Sequence, residues 1–164
     1  MILPKELRRA SYWIRGKKKT PRSRVLLRQC FGDDLQQYTS LIGQLSPVAY
    51  NDIVDLRASW TRFIASSHSD VFVVQKGKAL IGCGTVLIEP KLSHGGRSCA
   101  HLEDIVVEKV YRCCGLGKII IDHLLKVAQH AKCYKAVLSS NAENTLFYKK
   151  CGFREHEVSM RIDL

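Results

Sequence analysis

Two hydrophobic periods alternate along this chain. Arg24 to Gln29 (RVLLRQ) is a short apolar run and reads as the first strand. Behind Asp33 and Asp34, acids suited to an N-cap or a first turn, Leu35, Tyr38, Leu41, Ile42 and Leu45 recur at helical spacing. Ser46-Pro47 breaks that helix and offers a start for another. The next pattern, Ile53, Leu56, Trp60, Phe63 and Ile64, again has a helical period. Val71 to Val74 reads as a strand, Lys76-Gly77-Lys78 as a polar turn, and Ala79 to Ile88 as the returning strand of a hairpin. Lys91 to Arg97 is a loop, and Ala100 to Val107 a third strand. An amphipathic helix from Ile119 to Lys132 follows, then a strand from Tyr134 to Leu138. Asn141 to Lys150 predicts a short helix stopped by Gly152, and Glu157 to Leu164 a last strand. The order predicts a mixed α/β fold, a central and mostly antiparallel sheet with helices on both faces.

Composition narrows the class. At 164 residues, with 46% hydrophobic and 25% charged residues, the chain is one globular domain with room for a core. No apolar run approaches the ~20 residues of a membrane span, and Met1 to Arg9 lacks the apolar core of a secretory signal. These features predict an intracellular protein, cytoplasmic by default, with an organellar address left open. Seven cysteines without a C-x-x-C pair then read as reduced thiols, and no metal-ligand spacing occurs. The formal net charge of +11 is unevenly spread. The first 28 residues hold ten Lys/Arg against Glu6 alone, a net +9, which leaves only +2 on the remainder. Residues 1–22 are therefore expected to be a flexible basic extension, and residues 23–164 the domain. A nearly neutral domain argues against nucleic acid as its partner.

Arg112-Cys113-Cys114-Gly115-Leu116-Gly117-Lys118 lies between an apolar strand and an amphipathic helix. Glycines there let the backbone approach an anion, and free N–H groups at a helix N-terminus point toward it. Strand, glycine loop and helix in that order suggest a pyrophosphate-bearing co-substrate.

The R-x-x-G-x-G pattern resembles the acetyl-CoA loop of the GCN5-related N-acetyltransferases (GNAT), as does the strand, helix and strand order after it. The resemblance narrows through His101-Leu102-Glu103-Asp104-Ile105-Val106-Val107, Tyr111-Arg112, Cys133-Tyr134-Lys135, Asn144 and Phe147-Tyr148-Lys149-Lys150-Cys151-Gly152-Phe153. Together these are similar to the glucosamine 6-phosphate N-acetyltransferases, over roughly residues 41–164. The resemblance implies the GNAT fold and acetyl transfer from acetyl-CoA to the 2-amino group of glucosamine 6-phosphate, on the route to UDP-N-acetylglucosamine. It also implies an intertwined homodimer whose last strand packs on the partner. A GNAT for another small amine and a non-catalytic acetyl-CoA-binding protein remain as alternatives.

Residue roles carry over by position. Ile105, Val106 and Val107 would offer main-chain groups to the pantetheine arm. Arg112, Cys113, Cys114, Gly115, Leu116, Gly117 and Lys118 would hold the pyrophosphate, with Asn144 and Lys150 as further contacts. Tyr148 would serve the departing thiolate. Glu103 and Asp104 would meet the substrate amine and hydroxyls. Neighbours on a regular strand face opposite ways, so both can line one pocket only if a bulge intervenes. Ser46, Lys91, His94 and Arg161 are the candidates for the sugar phosphate, with Tyr134 and Lys135 as weaker choices. Two positions depart from the family pattern. Ser139 stands where an aspartate is usual, and a hydroxyl is no base at neutral pH. Asp163 stands where an arginine is frequent, with Arg161 two residues earlier on the same face.

Overall fold

The computed structural model describes residues 2–16, 21–46 and 55–163. The order of elements is α1 (Lys5–Arg8), β1 (Arg9–Ile14), β2 (Ser23–Gln29), α2 (Leu35–Ile42), α3 (Leu56–Ile64), β3 (Ser69–Lys76) and β4 (Ala79–Glu89). Then come β5 (Cys99–Val107), α4 (Leu116–His130), β6 (Lys135–Val137) and α5 (Thr145–Lys150). One six-stranded sheet takes them in the order β1-β2-β3-β4-β5-β6. All neighbours are antiparallel except β5 and β6, which are parallel and joined through α4.

The predicted hairpin and crossover are present. Ile53 and Pro47 lie outside the described residues. Two expectations need correction. The first concerns the basic extension, which is folded over much of its length: β1 pairs with β2 from Arg9↔Arg28 to Ile14↔Ser23. Charge counting overlooked its apolar positions. Leu3 and Ile14 are 2% and 3% exposed, and Leu7 and Tyr12 pack on the same core. His123 of α4 lies 2.9 Å from the Leu7 carbonyl, and Arg15 N–H donates to the Cys114 carbonyl at 3.3 Å. The second concerns Glu157 to Leu164. Among the described residues no strand forms after β6, and Val158, Met160 and Ile162 are exposed. Alternating apolar residues make a strand only when a neighbour supplies the ladder, and none of the described residues does so there.

Two cores lie on opposite faces of the sheet. On one, Leu116, Ile120, Leu124 and Val127 of α4 meet Leu27, Phe72, Ile81, Ala100 and Leu102. Each such fully buried aliphatic contributes roughly 1.5–3 kcal/mol. On the other, Tyr38 and Leu41 of α2 and Trp60 of α3 cover Val71, Val73, Cys83 and Val106. Helix α4 sits unusually close to β4. A Cβ at Gly84 would lie 2.7 Å from Ile120 Cγ2, so only glycine allows this approach.

Candidate active site

Strand β5 is irregular at its centre. Cys83 lies opposite Val106 but Thr85 opposite Glu103, so β5 spends one residue more than β4 over this stretch. Asp104 absorbs the extra residue with φ +53°, the left-handed region. Leu102 and Ile105 both belong to the α4-side core, three positions apart, which sends Glu103 and Asp104 together toward the α2 side. The bulge needed to aim both carboxylates one way is thus present. Strand β6 pairs with β5 only from Cys99↔Lys135 to His101↔Val137. Beyond His101 the two strands part, and among the described residues the β6-facing main-chain edge at Ile105, Val106 and Val107 has no strand partner.

The glycine loop closes the end of this gap. Gly115 is the N-cap of α4 with φ +85°, and it offers no capping side chain. The first-turn N–H groups of Leu116, Gly117 and Lys118 have no intrahelical acceptor. Buried Cys114 and Leu116 anchor the loop on either side of Gly115. Cys113 is exposed and also adopts positive φ, at +65°. These open donors and this close backbone suit a pyrophosphate. Gly117 has a different reason to be glycine: its Cβ would lie 2.9 Å from Phe147 Cζ. Helix α5 therefore docks onto the first turn of α4 through that missing side chain.

The two cations of the loop are already engaged. Arg112 Nε donates to the Val107 carbonyl at 3.0 Å, and Lys118 Nζ donates to Asp122 at 2.7 and 2.8 Å. Arg112 thus fixes the end of β5, while Lys118 lies one turn from an acid that competes for its charge.

Helix α5 carries Tyr148 to a cleft of about 940 Å³ that is also lined by Lys91, Tyr134, Lys135, Ser139 and Ser140. Burial, then the neighbouring Cys151 and Glu103, push the Tyr148 phenol above its usual range, so it is protonated near neutrality. Ser139 and Asn144 are exposed, as is Lys150. Lys91 pairs with Glu89, which also lies 2.8 Å from His101 Nε2. Their bonds hold Glu89 below the usual carboxylate range and Lys91 above its own. His94 stacks on Tyr134 with centroids 4.0 Å apart. Ser46 is exposed just beyond α2, and Arg161 is exposed and pairs with Asp163. The structure therefore groups Lys91, Ser139 and Tyr148, and does not bring Ser46 or Arg161 to their cleft. Glu89, Cys99 and His101 place possible ligand atoms within 4.8 Å of one another. The Lys91 ammonium on Glu89 opposes a cation there.

Asp104 is half-buried, whereas Glu103 is exposed. Burial raises the Asp104 pKa, while the hydroxyls of Thr85 and Tyr38 pull it back. Thr85 Oγ1 donates to Asp104 Oδ2 at 3.5 Å. Burial also raises Glu103, and Asp104 adds to the shift. Tyr38 escaped the sequence reading because its helical spacing marks it only as core. Its ring is 5% exposed and packs on Trp60 at 5.0 Å.

The comparisons agree with this architecture. Residues 35–153 match the model of the acetyltransferase (GNAT) family, and the chain belongs to that family. Within it, the chain is 37% identical over 137 residues to a glucosamine 6-phosphate N-acetyltransferase of Trypanosoma brucei brucei, covering 80% of this chain and 90% of the relative. The crystal structure of a Trypanosoma brucei acetyltransferase superposes with TM-score 0.77 at 34% identity, over 85% of this chain and 99% of that one. The glucosamine-6-phosphate N-acetyltransferase of Arabidopsis thaliana gives TM-score 0.76 at 25% identity, over 85% and 97%. No helix among the described residues is long and apolar enough to cross a membrane.

Proposed function

We propose that this chain transfers the acetyl group of acetyl-CoA to the 2-amino group of glucosamine 6-phosphate, by direct attack in a ternary complex. The observation that carries the substrate is the match to the Trypanosoma brucei brucei relative over 90% of its length. The parted strands and the glycine loop support acetyl-CoA as co-substrate, with the β5 edge and the α4 N-terminus as its contacts. Acetyl-CoA brings the activated thioester; the rest is positioning and proton transfer.

Asp104 and Glu103 hold the amine and hydroxyls and take up the proton released as the C–N bond forms, directly or through water. Tyr148 gives its proton to the sulfur as the C–S bond breaks, a role its raised pKa suits. Lys91 and His94 are assigned to the sugar phosphate, with Lys91 shared with Glu89 in the free protein. No metal takes part in this reading. The exposed strand-like alternation of Val158, Met160 and Ile162 supports a homodimer in which this tail pairs with the partner and brings Arg161 to its site.

The test is thiol release from acetyl-CoA with glucosamine 6-phosphate, glucosamine, spermidine and a basic peptide. Turnover confined to glucosamine 6-phosphate is expected. Turnover of another amine alone overturns the substrate, and acetyl-CoA binding without turnover favours a non-catalytic role. Light scattering on the same sample tests the dimer, which a monomer at micromolar concentration would refute.

A further inference from the structure

Tyr38 has an enclosed hydroxyl that makes no well-formed hydrogen bond among the described residues. Tyr38 packs in one cluster with Cys83 and Val106, the pair at the edge of the bulge, where Thr85 Oγ1 lies 3.5 Å from Asp104 Oδ2, and both of these polar groups bear on the phenol's titration. Its ring is fixed by Trp60 at 5.0 Å and Phe63 at 5.7 Å, so the hydroxyl cannot turn to solvent. Asp104 is itself held at positive φ, on the extra residue of the bulge. The Cys83 thiol donates to the Asp104 carbonyl at 3.4 Å. Three groups from two elements, α2 and β4, thus converge on one carboxylate-bearing residue.

We propose that Tyr38 is a positioning residue: its buried, otherwise unpartnered hydroxyl is the donor that settles on the Asp104 carboxylate from the α2 side and fixes it for the substrate amine. The inference rests on the acetyltransferase reading above. It also answers the departure at Ser139: the carboxylate absent there leaves Asp104 as the group whose placement matters. The other titratable groups near this pair are Cys83 on β4, Cys30 ahead of α2 and Glu103 on β5. Burial pushes both thiols up, Cys30 to about 12, so they are neutral. Glu103 is then the one charge adjacent to Asp104 among these.

Tyr38→Phe keeps the ring and removes the hydroxyl. A hydrogen bond to a charged group implies a loss of roughly ten-fold in kcat/KM for the amine. Losing the donor raises the Asp104 pKa, so the acid limb of the pH profile moves to higher pH. The carboxyl resonance of Asp104, followed by NMR, moves with it and needs no turnover. In an Asp104→Asn background, Tyr38→Phe should change kcat/KM less than two-fold. Thr85→Val, on the same carboxylate, should shift the profile in the same direction. An unmoved profile and resonance with only a lowered Tm, or an equal loss in the Asp104→Asn background, overturns the proposal. The kinetics are read on whichever panel amine wild type acetylates. Failure of glucosamine 6-phosphate therefore overturns the substrate without touching Tyr38.

Discussion

Gly117→Ala tests whether the second motif glycine serves the helix contact or the phosphate. The added Cβ would sit 2.9 Å from Phe147 Cζ and 3.4 Å from Cε2. The ring must yield by several tenths of an ångström, and Tyr148 is its immediate neighbour, with centroids 5.1 Å apart. Overpacking of this kind costs about 1–3 kcal/mol. Alanine returns about 0.5–1 kcal/mol by helix propensity. The net expectation is a loss of about 0–2.5 kcal/mol, with kcat falling and the KM for acetyl-CoA within about three-fold, because the backbone N–H at this position survives. Phe147→Leu removes the atom that clashes. In a double-mutant cycle by urea denaturation, the pair should therefore cost less than the two singles together by about 1–2 kcal/mol. Additivity within about 0.5 kcal/mol, together with a large rise in KM that Phe147→Leu does not rescue, would refute the steric argument. The glycine would then belong to the pyrophosphate.

Two further outcomes follow from proton placement. Tyr148→Phe should lower kcat by about 100-fold and leave acetyl-CoA affinity within two-fold, if the phenol protonates the thiolate; an unchanged kcat with chemistry rate-limiting removes it from the mechanism. His123 is buried between Phe72 and the Leu7 carbonyl, and burial lowers its pKa from 6.5 to about 4. A depressed histidine favours the neutral fold, so its contribution is complete above the unfolded value and disappears as pH falls through about 4. At about 1.4 kcal/mol per pH unit, roughly 3 kcal/mol of stability should vanish between pH 6.5 and 4. Urea midpoints of wild type and His123→Gln across that window check it, and equal slopes would refute it.

The elements that carry the site were legible because each has a strong local signal. Val71–Val74 and Ala79–Ile88 announce a hairpin, and the glycine loop announces the start of α4. Even the bulge was implied, since Glu103 and Asp104 could share a pocket only with one. Tyr38 was not legible as anything but core, because a hydroxyl's partners come from strands far away in sequence. The folded N-terminus was missed for a related reason. Net charge describes the solvated half of Arg9–Ile14, whereas its place in the sheet is decided by Leu3, Leu7, Tyr12 and Ile14 against α4. The unformed C-terminal strand shows the converse. An alternating pattern specifies a willing strand, and only a neighbour completes it.

The strands lie in the sheet in the order in which a ribosome would deliver them. The pairs β1-β2, β3-β4 and β4-β5 can be added by short-range closure, each strand against the one before. Two strands require a long excursion before they can pair: β3, from Gln29 through α2 and α3 to Ser69, and β6, from Val107 through α4 to Lys135. The gap between β5 and β6 is therefore a seam between an antiparallel sheet and the parallel strand added last. A chain that has emerged only to Val107 can build five strands and still have no place to work. Its capacity for chemistry is assembled when the crossover through α4 is closed, and a ligand bound across the seam would hold it shut.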